Sequence, residues 1–563
     1  MTAGGPAAAI ARVIRNPAGA PLLALAAVAG AAAVWNPAPP LNDDWMFRLA
    51  ADRLASEGTL RLAGYGPATQ VLHIAGAALW KSLTGGWPWG LYSSLWAAVA
   101  VWNLCAFVEE SGGDRRTAAL AGVCLALCPV AVASVPSLMM EMPYAALALL
   151  ALRALARGAA SADVAALSAA GAWAAAAFLV RQSAVGLPLG AAWCLWRAGR
   201  LDARRLAALW GPLSLAAAGF ALWSAASADP SPGGLHVSAR VVPFLMDLPA
   251  SLPAVFSRLL ACVPTLGLFA LPLAAALPSR ELLRAPAARA AGMLALLLCV
   301  LAAAWRGPLP MLGNILSRTG LGALSLPGFE AKAAGPFAWP LLWWALTAAA
   351  AAAAALLAAS AARGGPSPAR DTALGAALGQ LLVPLLNDVF LDRYLFPALP
   401  GVAAAAALGA SGLRLNGLRG WAVAALAGGL WTAGLVDHLA WNRARWRLAG
   451  EGAARSDVGA CAVNGGYEWN AYWCYEPAME ELRATKPAAE IAPESWLSVT
   501  PRRAFLSFAP GLESAQVSRA GEAAYPTPLS AAGGRLYLYE LNAPTPWPAR
   551  PPRPRGDGRT EGR

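Results

Sequence analysis

TQVLHIAGAALW, residues 69–80, is the stretch on which the topology of this chain turns. It is apolar, yet too short to cross a bilayer comfortably, since a helical crossing takes about 20 residues. Gly64, Gly66 and Pro67 precede it, and Gly85, Gly86 and Pro88 follow it, so turn formers close it at both ends. The reading is a juxtamembrane helix lying in the outer interface. The loops bear on that choice. If 69–84 stays on the surface, WGLYSSLWAAVAVWNLCAFV (89–108) runs from outside to inside and delivers GGDRRT to the cytoplasm. Every later arginine cluster, near 153, 197, 284, 363 and 414, then also lies inside. A crossing would turn those clusters outward, against the positive-inside rule.

The surrounding composition sets the class. Of 563 residues, 58% are hydrophobic and 13% charged, where soluble chains carry about 25% charged residues. Repeated apolar runs make it a polytopic α-helical membrane protein. The formal net charge of +12 does not imply a nucleic-acid partner, because most of the arginines fall in short loops where topology already accounts for them. No GxxxxGK[ST] loop occurs. The first span is expected at about 18–35, retained rather than cleaved as a signal, and the last at about 420–437, with about thirteen spans in all. Two domains follow: residues 1–437 in the membrane, and residues 438–563 as a small extracytoplasmic α/β domain with a strand-like RLYLYEL (535–541) and a turn-like NGG (464–466). Cys461 and Cys474 lie in this tail, and an external compartment allows either a disulfide between them or two thiols. Enrichment in Ala, Gly, Pro and Arg fits a GC-rich bacterial genome, so the expected location is a bacterial inner membrane.

On this topology the polar residues at span ends gather on the outer side, where ionisable groups are costly and often functional. Asp43 and Asp44 follow the first span in PPLNDDWMFRLAADRLASEG (39–58), and Glu141 sits in VPSLMMEMPYAAL (135–147). Arg181 and Gln182 occupy AFLVRQSAVGLP (177–188); Asn387, Asp388, Asp392, Arg393 and Tyr394 occupy LLNDVFLDRYLFPALP (385–400). Longer outer loops add His236, Arg240, Arg306, Arg318, Glu330 and Lys332. Each has an ordinary structural reading. The Asp pair can cap the helix that follows it, Glu141 can meet a helix dipole, Arg181 and Arg393 can snorkel to headgroups, and His73 can be a structural core histidine.

An acidic pair after the first span, a juxtamembrane helix, an acid-Pro turn at Glu141 and Pro143, and an external Arg393-Tyr394 turn together resemble the GT-C superfamily of membrane glycosyltransferases. The span layout with an external C-terminal domain is similar to the protein O-mannosyltransferases and the lipid A aminoarabinose transferases. The chain departs from the common pattern in carrying Glu141 where an Asp-x-Pro is frequent, and in lacking Lys-Pro-Pro in the first loop. The resemblance implies transfer of a sugar, with inversion, from a polyprenyl-phosphate donor to a hydroxyl of a lipid, glycan or protein acceptor at the extracytoplasmic face. It implies Asp43 as base with Asp44 second, and Glu141 assisting. Arg393, then Arg181, Arg318 and Lys332, would face the donor phosphate, and Tyr394, Asp392, Gln182 and His73 would contact substrate. Relatives with monophosphate donors work without a metal, so no cofactor is expected, although carboxylate oxygens at the Asp pair and Glu141 suit Mg²⁺ or Mn²⁺. Two rivals belong to other classes: a multi-span transporter or lipid flippase, and a GT-C-like envelope scaffold without activity. A transporter more often shows repeated halves and mid-membrane charges, whereas no clear repeat is visible here.

Overall fold

A computed structural model of the chain describes residues 16–35, 38–62, 69–86, 88–226, 242–322, 326, 335–387, 389–455, 459–486, 491, 502–529 and 533–545. Helices dominate, and a small sheet forms near the C-terminus. Among the described residues seven helices are long and apolar enough to cross a membrane: Trp89–Glu110, Glu141–Ser161, Ala203–Ala226, Pro249–Phe269, Pro286–Arg306, Pro340–Ala361 and Gly417–Arg455. The chain is thus multi-pass.

Seven replaces the thirteen or so spans expected from the sequence. The difference arises because several apolar runs do not form one continuous helix. Gly19–Ala33 and Val164–Phe178 have 15 residues each, about 22 Å at 1.5 Å per residue, short of the roughly 30 Å hydrocarbon core. The run after Asp114 divides at Cys128–Pro129 into Arg115–Leu127 and Pro129–Ser134, since proline supplies no N–H to continue the ladder. The next division falls at Arg181, where the 3-10 turn Gln182–Gly186 separates Val164–Phe178 from Leu187–Arg197. Another falls between Pro368–Leu385 and Leu399–Gly409, which are joined through the 3-10 segment Asp392–Ala398. The last two interruptions carry the polar residues of interest.

The stretch that opened the topology forms the helix Val71–Thr84, ended by Gly85 in the left-handed conformation, and it is not one of the seven candidate spans. It packs beside Asp44–Glu57, with Lys81 Nζ 2.7 Å from Asp52 Oδ1.

Two helices approach backbone to backbone at paired glycines. Gly186 and Gly190 face Gly379 and Gly375 in an antiparallel crossing: a Cβ on Gly186 would lie 2.1 Å from the Gly379 carbonyl carbon, and one on Gly375 would lie 2.8 Å from Gly190 Cα. Both pairs have the Gly-x-x-x-Gly spacing that lets membrane helices approach backbone to backbone. Arg181 and Gln182 begin the turn that ends at Gly186, and Gln380 directly follows Gly379. Tyr144 Oη donates to Gln380 Oε1 at 2.5 Å across the same junction.

The helix Gly417–Arg455 has 39 residues, about 58 Å, and runs through position 437. Beyond it the strands lie in the order Val463–Asn464, Arg502–Ser507, Gly534–Thr545, Val517–Tyr525, the first pair parallel and the others antiparallel. RLYLYEL lies within Gly534–Thr545. Its alternation sends Leu536 and Leu538 into a core with Leu448 and Val463.

Candidate active site

One cavity of about 730 Å³ collects side chains from seven separated stretches of sequence. Asp43 comes from the first loop, Glu141 from the start of Glu141–Ser161, Arg181 and Gln182 from the first helix break, Arg393 and Tyr394 from the second, and Tyr467 and Glu468 from the C-terminal segment. Asn42, Asn314, Asn387 and His438 line it as well.

Asp43 precedes the helix Asp44–Glu57 but makes no side-chain capping bond. Its carboxylate points into the cavity, where Arg393 Nη2 donates to Oδ2 and Tyr467 Oη donates to Oδ1 at 3.0 Å. Asp44 points the other way. It is fully buried and accepts from Leu41 N at 2.9 Å, Arg48 Nη2 at 2.8 Å and Leu138 N at 3.2 Å. Burial raises its pKa, and Arg48 with the two backbone N–H groups opposes that rise. Asp44 therefore ties the first loop to the chain before Glu141, and it does not line the cavity.

Glu141 is 2% exposed, and its Oε1 lies 3.5 Å from Arg181 Nη1. That separation attracts without forming a hydrogen bond. Among the described residues, neither Glu141 Oε2 nor Arg181 Nη1 has a hydrogen-bond partner. Tyr394 lies between two guanidiniums, with Arg181 Cζ 5.2 Å and Arg393 Cζ 5.7 Å from its ring centre, within cation–π range. Burial alone would lower the pKa of Arg393, but Asp43, Tyr394 and Glu141 outweigh it and hold the guanidinium charged. Two cations, Arg181 and Arg393, and three carboxylates, Asp43, Glu141 and Glu468, thus line one space, with Glu468 also paired to Arg445.

The other sequence-nominated residues lie elsewhere. Asp392 is buried behind Arg393 and accepts from Ile315 N at 3.1 Å, Leu316 N at 2.5 Å and Arg393 N at 2.6 Å. Burial lifts its pKa to about 6 against those donors. It anchors the loop that carries Arg393. His73 is buried, with Nε2 donating to the Leu138 carbonyl at 2.9 Å, and burial lowers its pKa to about 4. It holds the chain beside Glu141 and does not reach the cavity. Arg318 is exposed at the turn between Leu316–Ser317 and Gly320–Leu321 and does not line the cavity. Arg306 donates to Ser257 Oγ at 2.8 Å and to the Met311 carbonyl at 3.0 Å. Lys332, His236, Arg240, Glu330 and Asp388 lie outside the described residues. In the C-terminal segment Cys461 Sγ donates to the Trp473 carbonyl at 3.2 Å, and Cys474 is buried. Among the described residues no three His, Cys, Asp or Glu side chains group as a metal cluster.

Several residues in or beside the cavity escape a reading by sequence. Tyr467 and Glu468 lie more than 400 residues from Asp43 and carry no motif. Arg258, buried in Leu248–Phe269, donates to the carbonyls of Leu385 at 3.0 Å and Asn387 at 2.5 Å. It closes the helix end beside the cavity. An arginine inside an apolar run was its one visible signal.

No protein-family model matches the chain, and no curated protein matches it in sequence. By structure it is similar to ArnT from Cupriavidus metallidurans, solved in the apo state, at 15% identity and a TM-score of 0.38, covering 86% of this chain and 92% of that one. It is also similar to the arabinosyltransferase EmbB from Mycobacterium smegmatis, at 15% identity and a TM-score of 0.32, over 89% of this chain and 45% of that one, so this chain spans less than half the length of EmbB.

Proposed function

We propose that the chain is an integral membrane glycosyltransferase that moves a sugar, with inversion, from a polyprenyl-phosphate donor to an acceptor hydroxyl. What supports this reading is the convergence of Asp43, Glu141, Arg181 and Arg393 on one cavity. Such a transfer needs two opposed things: a carboxylate to take a hydroxyl proton, and fixed cations for a departing phosphate. Guanidinium suits phosphate oxygens through paired N–H donors.

In this mechanism the donor phosphate draws Arg393 and Arg181, and Arg393 releases Oδ2 of Asp43. That oxygen accepts the proton of the acceptor hydroxyl as the acceptor oxygen bonds to the anomeric carbon. The bond between the anomeric carbon and the phosphate oxygen breaks, its electron pair stays on the phosphate, and polyprenyl phosphate leaves. A single displacement inverts the anomeric centre. Glu141 keeps Arg181 oriented, and Tyr394 fixes the spacing of the two guanidiniums. No cofactor enters this scheme.

The cavity is assigned to the extracytoplasmic face of a bacterial inner membrane. Support comes from the helix ends: Glu141 begins a helix whose other end carries Arg153 and Arg157, about 18 Å or more along the axis. The basic ends also lie together, with Arg200 donating to the Ala160 and Ser161 carbonyls at 3.0 and 2.6 Å and Arg197 pairing with Asp371 at 2.9 Å. Such a basic end is the cytoplasmic one by the positive-inside rule.

The test uses the purified full chain in lipid nanodiscs, a panel of undecaprenyl-phosphate-linked pentoses and hexoses, and host envelope membranes as acceptor source. Release of undecaprenyl phosphate is read, because that product is common to every donor. Wild type is expected to release it and Asp43→Asn to lose about 10²–10⁴-fold. Equal release by the two proteins would remove Asp43 as base. Movement of the donor across sealed vesicles without release would instead favour a transporter.

A further inference from the structure

We propose that Tyr467, contributed by the C-terminal segment, is a positioning residue that decides which oxygen of Asp43 acts as the base; this rests on the transferase reading above. The two oxygens of Asp43 have different partners. Oδ2 accepts from Arg393 and Oδ1 from the Tyr467 phenol at 3.0 Å. A donor phosphate competes for a guanidinium but has no comparable pull on a neutral phenol. When Arg393 turns to phosphate, Tyr467 keeps Oδ1 occupied, and Oδ2 alone is left open toward the acceptor.

Tyr467 is itself held for this task. It begins the helix Tyr467–Thr485 directly after Gly466, whose φ of +94° is strained for any side chain. A Cβ on Gly466 would come within 2.4 Å of Arg445 Nη1. The neighbouring Glu468 grips the first loop: its Oε1 accepts from Asn42 N at 3.1 Å, and its Oε2 lies 2.8 Å from Arg445 Nη2. Arg445 is 1% exposed, donates to Asn442 Oδ1 at 2.5 Å and stacks on Trp441 at 4.4 Å. Asn442 in turn donates to the Pro40 carbonyl at 3.0 Å. Consecutive residues 467 and 468 therefore clamp consecutive residues 43 and 42. The clamp makes the C-terminal segment part of the reaction site rather than an appended domain.

The experiment uses the full chain in nanodiscs with the undecaprenyl-phosphate-sugar panel. Tyr467→Phe is expected to melt like wild type, to keep the donor KM within about 2-fold, and to lose about 10- to 100-fold in kcat, the scale of a hydrogen bond to a charged group. Tyr467→His, which restores a ring N–H donor, should recover part of kcat. In an Asp43→Asn background Tyr467→Phe should cost nothing further, because both changes act through one carboxylate. If Tyr467→Phe fails to fold, 3-fluorotyrosine at 467 decides, with kcat expected to fall at an unchanged melting temperature. An unchanged kcat in the folded variant, or full additivity with Asp43→Asn, overturns the assignment while the transferase reading stands. Wild type that releases no lipid phosphate from any donor overturns both.

Discussion

Asp43 and Arg393, 350 residues apart in the chain, meet as an ion pair at the wall of the cavity, with each side chain about nine-tenths buried. The proposed base and the proposed phosphate ligand thus satisfy each other. A partly buried pair of this kind tolerates exchange of one partner better than its loss, because an unpaired buried charge is costly. In the proposed mechanism donor binding supplies that exchange, with phosphate replacing the carboxylate on Arg393.

The adjacent aspartates should separate cleanly by phenotype. Asp44→Ala removes the acceptor for Leu41 N, Leu138 N and Arg48, so it should lower stability by about 2–4 kcal/mol. Asp43→Asn, which keeps an oxygen to accept from Arg393 and Tyr467, should lose less stability than Asp44→Ala while losing transfer. Thermal unfolding of both variants, followed by the change in intrinsic tryptophan fluorescence, checks this. An Asp44 variant that melts normally but is inactive would reverse the two roles.

Arg393 should respond to substitution through the donor. Arg393→Ala is expected to raise the donor KM by about 10- to 100-fold, matching loss of a charge-assisted contact. Arg393→Lys should restore only part of this, because an ammonium lacks the paired N–H fork. Titration with undecaprenyl phosphate, read by tryptophan quenching, gives the comparison. Equal binding by wild type and Arg393→Ala would detach Arg393 from the phosphate.

The glycine crossing should tolerate no side chain. A Cβ at Gly190 would sit 2.1 Å from the Thr372 carbonyl oxygen, and one at Gly379 would sit 2.4 Å from the Gly186 carbonyl oxygen. Gly190→Val or Gly379→Val should therefore push the helices apart, lower stability by about 3 kcal/mol or more, and lose activity because Arg181 moves with the crossing. Gly30→Ala, at a position with open space around it, is the control and should melt like wild type. Melting temperatures in nanodiscs decide it.

Asp392 should give stability a signature in mild acid. Its pKa rises from 3.8 to about 6 on folding, chiefly through burial. Between those values the folded state binds more protons than the unfolded state, so stability falls as pH rises. The stabilising contribution is present in full below about pH 3.8 and is lost as pH climbs to 6, a change of about 3 kcal/mol. Asp392→Asn cannot titrate, so its melting temperature should change less than that of wild type from pH 4 to 6.5. Parallel melting curves across that range would show that Asp392 does not titrate there.

The sequence by itself determined the membrane class, because apolar run length and arginine loops are local quantities that need no tertiary information. It also singled out Asp43, Glu141, Arg181 and Arg393, since charge at the ends of apolar runs stands out wherever the chain folds. The number of long helices was less legible: a hydropathy window cannot see that Pro129, Arg181 and the Asp392 segment break helices, because a break depends on where freed backbone groups find partners. Asp43 and Asp44 look alike as neighbours in sequence. Only the tertiary structure divides them, because successive side chains at a helix start point in different directions, one toward Arg393 and the other toward Arg48 and Leu138. Tertiary structure alone also brought in Tyr467 and Glu468, since a hydrogen bond across more than 400 residues is set by packing of distant elements and leaves no local pattern.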